Sequence, residues 1–227
     1  LKAQAVVARG EVFAKWGTRH FLEHYLLCAE THCQVYSGVK VSHPRASKAV
    51  MATRGELLFL GPDLVDSVYS ASCGGHGEDN DAVWSDPASP ALRGRPDSAK
   101  RQVMDLSDPD RLKVFLESPQ ESFCKLSSFA KKGVYRWERS IASGKLDAMV
   151  AKVQDVGHVV SIQVLSRGIS GRVKVGRVVG DGGELVVQRE WPVRKLFGNL
   201  KSGMFLVTPV VDEKQMVKGF HFRWGGW

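Results

Sequence analysis

His158-Val-Val-Ser-Ile-Gln-Val164, Arg172-Val-Lys-Val-Gly-Arg-Val-Val179 and Glu184-Leu-Val-Val-Gln188 are three β-branched runs separated by the turn signals Ser170-Gly171 and Asp181-Gly182-Gly183. In the first run Val160, Ile162 and Val164 share one face, the period-2 pattern of a half-buried strand. Strands this short, joined by tight Gly-containing turns, predict an antiparallel meander. Downstream, a short helix around Val193–Gly198 and strands over Met204–Val211 and Gln215–Trp224 finish the chain.

Upstream the pattern turns helical. Asp108–Leu116, with Ser107 as N-cap, and Leu146–Val153 read as short helices. Asp86–Ala99 carries Pro87, Pro90 and Pro96 and reads as a surface loop. Between Ala49 and Ser70, alternation around Arg54-Gly55 and Gly61-Pro62-Asp63 predicts a hairpin. Leu1 to Trp16 reads as a helix with Leu1, Ala5, Ala8 and Val12 on one stripe, stopped at Gly17-Thr18. The expectation is an α+β fold: an N-terminal helix and hairpin lobe, then an antiparallel β-meander. It is drawn as one domain over 1–227, with sub-regions 1–105, 106–157 and 158–227.

The 227 residues are 43% hydrophobic and 25% charged, which excludes a disordered or collagen-like chain. No run of about 18 apolar residues spans a membrane, and the first residues carry no signal-peptide pattern. Lys plus Arg number 32 against 24 acids, a net charge of +8 that suits an anionic polymer. The basic residues are scattered without interleaved aromatics, so nucleic acid is not the expected partner.

The densest chemistry is His20-Phe-Leu-Glu-His24-Tyr-Leu-Leu-Cys28-Ala-Glu-Thr-His32-Cys33. Two thiols and three imidazoles in so short a stretch offer the sulfur and nitrogen ligands of a tetrahedral Zn²⁺. If the segment were helical, His20, His24, Cys28 and His32 would share one face. The competing reading is a Cys28–Cys33 or Cys73–Cys124 disulfide with solvated histidines.

A second constellation, Tyr69-Ser70-Ala71-Ser72-Cys73-Gly74-Gly75-His76-Gly77-Glu78-Asp79, surrounds a Gly-Gly turn with hydrogen-bonding groups suited to a sugar or peptide. Cys73 with His76 is a conceivable nucleophile pair, against an ordinary decorated turn. The carboxylate pairs Glu23 with Glu30 and Glu78 with Asp79 have no distinguishing spacing. Arg172 is a candidate anion ligand. Trp191, Trp224 and Trp227 are candidate sugar platforms, against core or interface tryptophans.

At these residues the chain resembles the stage II sporulation protein D (SpoIID) family and its amidase-enhancer relatives. The resemblance is carried by Leu1-Lys-Ala-Gln-Ala-Val-Val-Ala-Arg9, Cys28-Ala-Glu-Thr-His32-Cys33-Gln34-Val35-Tyr36, Ala52-Thr53-Arg54-Gly55 and Tyr69-Ser-Ala-Ser-Cys-Gly-Gly75. It continues through Val83-Trp84, Tyr135-Arg136-Trp137, Arg167-Gly-Ile-Ser-Gly-Arg172, Pro192-Val-Arg-Lys-Leu196 and Gly225-Gly226-Trp227. It implies a bacterial cell-envelope protein, periplasmic or secreted, that cleaves peptidoglycan glycan strands at the MurNAc–GlcNAc bond. The preferred activity is that of a lytic transglycosylase on wall stripped of stem peptides or deacetylated. A lysozyme-type hydrolase, or a non-catalytic wall-binding module that activates an amidase, is the alternative.

One Glu acts as general acid in such enzymes, and the family's acid lies in a Glu-Met-Pro element ahead of the helix motif. It is therefore expected upstream of Leu1, and residues 1–227 alone are expected to be inactive; Glu11 does not stand where the family places its acid. Lys2, Gln4 and Arg9 match supporting positions, and Tyr69, Ser72, Gly74 and Gly75 match the substrate loop. The resemblance further implies a structural zinc held by Cys28, His32, Cys33 and His20, with His24 in reserve, and no organic cofactor.

Overall fold

The computed structural model describes residues 1–30, 32–84, 87–99, 104–118, 121–128 and 133–226. The chain divides into two compact units, Leu1–Tyr69 and Ser70–Trp227. Among the described residues, no helix is long and apolar enough to cross a membrane.

The first unit is built on α1, Lys2–Lys15. Ala, Lys, Gln and Val favour or tolerate a helix here, and Trp16 leaves it in an extended conformation before Gly17 at φ 72°. The helix exists as expected; of its expected stripe Ala5, Ala8 and Val12 are half-buried, while the most buried positions lie elsewhere. Leu1 is exposed, and the buried positions of α1 are Gly10 and Lys15. A Cβ on Gly10 would stand 3.3 Å from the Val65 carbonyl oxygen, so the missing side chain lets segment 65–67 lie against the helix.

A short 3-10 turn, Val39–Val41, precedes α2, Pro44–Ala52. His43 caps α2, its Nδ1 accepting from the Arg45 amide at 3.1 Å, and Pro44 takes the first turn. The start of the expected hairpin, residues 49–52, is therefore helical. Its second turn signal holds: β1, Phe59–Leu60, and β2, Asp63–Leu64, pair around Gly61-Pro62.

The second unit holds α3 (Asn80–Val83), α4 (Pro109–Glu117), α5 (Phe123–Leu126), β3 (Arg136–Ala142) and α6 (Ser143–Val150). It continues with β4 (Val159–Arg167), β5 (Val173–Gly180), β6 (Gly183–Gln188), α7 (Glu190–Leu196), β7 (Phe205–Val211) and β8 (Val217–Gly225). The meander β4-β5-β6 forms as expected. The last two strands do not extend it: β8 sits between β7 and β3 in a separate antiparallel sheet. β3, reading Arg-Trp-Glu-Arg-Ser-Ile-Ala, shows too little apolar alternation to announce itself, and its partner lies some eighty residues on.

Asp108 rather than Ser107 caps α4, accepting from Asp110 and Arg111 amides at 3.0 and 2.9 Å, because Pro109 fixes the first helical residue. α6 and α7 each begin about three residues earlier than expected.

Both sheets, α6 and α7 close over one apolar core. Ile141, Leu146, Val150, Val178, Val193, Phe205, Phe220, Phe222 and Trp224 are all buried in it. Phe222 meets Phe205 and Phe197 with ring centroids 5.4 and 5.2 Å apart. A satellite cluster of Leu106, Leu112, Phe115 and Met204 packs under α4.

Candidate metal cluster and Gly-Gly loop

In the first unit, residues after α1 form turns and bends rather than a helix, so the four-residue stepping of the histidines does not bring them together. Folding does so differently. His20, Cys28, His32 and Cys33 each offer one ligand atom, and these atoms all lie within 4.8 Å of one another. His32 Nδ1 stands 3.0 Å from His20 Nε2, 3.8 Å from Cys28 Sγ and 3.7 Å from Cys33 Sγ. The edges of a tetrahedron of S and N ligands around zinc are about 3.3–3.8 Å, from bond lengths near 2.0–2.3 Å. His24 is not in the cluster.

The surroundings aim these groups. His20 adopts a left-handed backbone, φ 57°, uncommon away from glycine, and its Nδ1 meets Glu23 Oε2 at 3.1 Å. That contact leaves Nε2 facing the sulfurs and His32. The Glu23 hydrogen bond is also the main reason the His20 pKa is raised. Cys33 is buried, and its carbonyl accepts from Lys15 Nζ at 3.3 Å, while Lys15 pairs with Glu11 one turn back on α1. Arg19 donates to the His32 carbonyl. A backbone hydrogen bond at Glu30, followed by the neighbouring His32, His20 and Cys33, draws the Cys28 thiol down to about 6. The thiolate, the form that binds metal, thus prevails at neutral pH.

Glu23 and Lys15 carry roles that residue type and spacing do not announce. In the sequence Glu23 stands out only as an acid to pair with Glu30, and its one signal is the three-residue step from His20, which on a single turn lets a carboxylate reach the imidazole.

Of the supporting residues on α1, Lys2 and Gln4 are exposed. Arg9 is spent on the fold: Nη1 donates to the Thr53 and Glu56 carbonyls at 2.9 and 2.6 Å and so ties α1 to the end of α2. Tyr69, half exposed, accepts at its hydroxyl from Gln34 Nε2 at 3.0 Å.

Ser72, Gly74 and Gly75 belong to the second unit, and all three are buried. Ser72 Oγ accepts from the Gly74 amide at 3.3 Å. Arg136 Nη1 donates to the Gly74 carbonyl at 2.7 Å. Arg172 donates to the carbonyls of Cys73 and His76, both at 3.0 Å. Two half-buried arginines thus hold the loop by its backbone, and Arg172, with these partners and Ser170 Oγ at 2.7 Å, is committed to the fold rather than to an anion. Gly75 alone of the three lines a cavity of about 300 Å³, together with Phe115, Ser122, Phe123 and Tyr135.

The other candidates resolve into structure. Glu78 Oε2 accepts from Ser170 Oγ at 2.6 Å, and Asp79 Oδ1 accepts from the Gly94 amide at 2.6 Å, so neither carboxylate is a free acid. Cys73 faces Cys124, while His76 Nδ1 donates to the Gly77 carbonyl at 2.6 Å, so Cys73 and His76 do not pair with each other. Trp224 is core, Trp191 is half exposed with Arg194 and Lys195 over its ring, and Trp227 lies outside the described residues.

His76 is fully buried, and burial holds its pKa below the ordinary 6.5 against the opposing backbone contacts of Gly77 and Met104. As pH falls through 6.5 the unfolded chain takes up the proton first, so its contribution is full above 6.5 and is lost on acidification. The Tm of the second unit is expected to fall between pH 7 and pH 5, and His76→Asn to flatten that slope. Equal slopes for the two proteins, followed by amide exchange in the sheets, would exclude this role.

Residues 1–60 match the family model for stage II sporulation protein, and residues 78–227 match the family model described as Domain of unknown function (DUF8618). The chain belongs to the family described as Domain of unknown function (DUF8618), whose model covers its larger part, and its first 60 residues are similar to stage II sporulation protein. The first match covers α1, His20, Cys28, His32 and Cys33, α2 and β1, so the four candidate ligands lie wholly inside it. The curated protein named Amidase enhancer from Bacillus subtilis (strain 168) is 34% identical over 103 residues, which is 45% of this chain and 13% of that relative. The chain therefore corresponds to a small part of that relative's length.

Proposed function

We propose that this chain belongs to a cell-envelope protein, periplasmic or secreted, that cleaves peptidoglycan glycan strands at the MurNAc–GlcNAc bond as a lytic transglycosylase. The observation that supports this most directly is the stage II sporulation match over the same residues that gather His20, Cys28, His32 and Cys33. The proton donor of this reading is the family Glu that precedes the helix motif. Residues 1–227 supply the frame: Lys2 and Gln4 are presented on the first turn of α1, and Tyr69 offers a hydroxyl oriented by Gln34. Ser72 and Gly74 shape the loop, and Gly75 forms cavity wall.

The same reading gives the four-ligand cluster a structural zinc. The donor set and spacing fit the ion, and four protein ligands leave no open position for activating water. Its contribution is to brace the loop that follows α1. Glu23 is the positioning residue for His20. Glu23→Ala is expected to weaken zinc binding about 10–100-fold in a chelator competition, and Glu23→Gln, which keeps an acceptor, to recover most of the loss. Equal affinities for all three proteins would refute the assignment.

The curated relative's name supports a second reading, a non-catalytic wall-binding module that raises the activity of an amidase. One experiment separates the two. The full-length gene product is incubated with intact, deacetylated and peptide-stripped peptidoglycan, and released fragments are identified by mass spectrometry. New anhydro ends support the transglycosylase. New reducing ends indicate a hydrolase, and no new ends from any substrate, with a partner amidase accelerated, replaces the enzyme reading by the second.

A further inference from the structure

The four cysteines fall into two pairs, one in each unit. The first pair belongs to the four-ligand cluster. The second, Cys73 and Cys124, is separated by 51 positions in the chain, yet the two Sγ atoms lie 3.4 Å apart, both residues half-buried. The surrounding backbone holds this approach without help from the sulfurs. The Asp97 amide donates to the Gly75 carbonyl at 2.9 Å, and the Phe123 amide donates to the Asp97 carbonyl at 3.0 Å. Asp97 Oδ2 accepts from the Cys124 amide at 2.8 Å. Residue 97 thus bridges the Gly-Gly loop and α5, and it delivers the two thiols to each other.

We propose that Cys73 and Cys124 are a disulfide site, and that the bond staples α5 to the Gly-Gly loop while Cys28 and Cys33 stay reduced. Closure needs the sulfurs to approach to about 2.0 Å, a small movement from the observed contact. The staple would fix one edge of the 300 Å³ cavity, because Gly75 lies two residues from Cys73, and Ser122 and Phe123 immediately precede Cys124.

The oxidant is a small-molecule or protein disulfide. The Cys124 thiolate attacks one of its sulfurs, and one thiol leaves. The Cys73 thiol then loses its proton and attacks Cys124 in the mixed disulfide, releasing the second thiol. Two electrons pass from the protein sulfurs to the oxidant, and two protons leave with them. The order follows from the surroundings: the contact with Cys73 favours the Cys124 thiolate, while that same contact and burial hold Cys73 protonated. Asp97 adds one oxygen ligand to the two sulfurs, but three ligands with a carboxylate already engaged by the Cys124 amide make a poorer metal site than the four-ligand cluster.

The test equilibrates the full chain, zinc present, with glutathione disulfide. Acid-quenched samples are alkylated, digested and mapped by mass spectrometry. The expected product is a Cys73–Cys124 cross-linked peptide with Cys28 and Cys33 still alkylatable after denaturation in chelator. Reduction is expected to lower the Tm of the second unit by about 5–10 °C, a shift absent from the Cys73→Ala/Cys124→Ala protein. Alkylation of Cys73 and Cys124 after oxidation overturns the proposal. So does a second zinc per chain that disappears in Cys124→Ala, which would make this a metal site. A Cys28–Cys33 bridge found beside Cys73–Cys124 would sink the zinc reading and overturn the selectivity proposed here, while the Cys73–Cys124 bond itself would stand.

Discussion

On the proposal that His20, Cys28, His32 and Cys33 hold a zinc ion, Cys33→Ser is expected to abolish its binding and to melt the first unit around the site. Cys33 is the buried member of the four, and the Lys15 ammonium holds its carbonyl against α1. Serine at this position keeps the size but offers a poor ligand, and the remaining His20, Cys28 and His32 make an incomplete tetrahedron. Zinc binding to folded structural sites contributes about 10–16 kcal/mol in small metal-dependent domains. The loss is therefore expected to exceed the effect of Glu23→Ala.

Elemental analysis should fall from about one zinc per chain to near none, and amide exchange over residues 16–36 should rise towards the unfolded rate while the meander β4-β5-β6 keeps its protection. His20→Ala is expected to behave alike, and His24→Ala, outside the cluster, to change neither readout. Full zinc content in Cys33→Ser, or a native Cys28–Cys33 disulfide, would remove the metal from the account of this protein.

The second large effect is expected at Gly74. Its φ of +72° is a left-handed conformation, and a Cβ there would lie 2.5 Å from the Gly226 nitrogen and 2.7 Å from the Gly225 carbonyl carbon. Both are backbone atoms at the end of β8, so no flexible side chain can move aside. Gly74→Ala combines about 1–2 kcal/mol for the left-handed conformation with about 1–3 kcal/mol for the overpacking. The sum corresponds to a fall of about 10 °C in the Tm of the second unit.

Gly133→Ala is the control. It has φ +74° but nothing within 4 Å of its Cβ, so only the conformational part should be lost. Equal Tm values for the two variants would show that the Gly-Gly loop gives way where the packing says it cannot. This matters for function, because Gly74 is buried against β8. A loss of glycan cleavage in Gly74→Ala would then report unfolding before it reported a lost substrate contact.

How much of this was legible beforehand depends on the range of the interactions. The meander was, because its strands are neighbours in sequence, and Ser170-Gly171 and Asp181-Gly182-Gly183 specify the returns between them. α1 was legible for the same local reason, and the types of the metal-ligand candidates were visible as two thiols and three imidazoles. The end of α2 has the alternation of a strand, and its helical state follows from the start that His43 and Pro44 set upstream.

Local patterning is enough for the α+β class, the turns and the chemistry available in residues 20–33. That His20 and not His24 joins the cluster follows from the folded chain, where a left-handed residue and a carboxylate three positions on set the ring direction. The tertiary structure alone paired β3 with β8, turned Arg9, Arg136 and Arg172 into clamps on backbone carbonyls, and brought Cys73 to Cys124. The physical reason is the same throughout. Turns and helices are stabilised within a few residues, whereas these contacts join segments 40 to 100 positions apart. They exist only once burial of the shared core has offset the entropy of closing loops of that length.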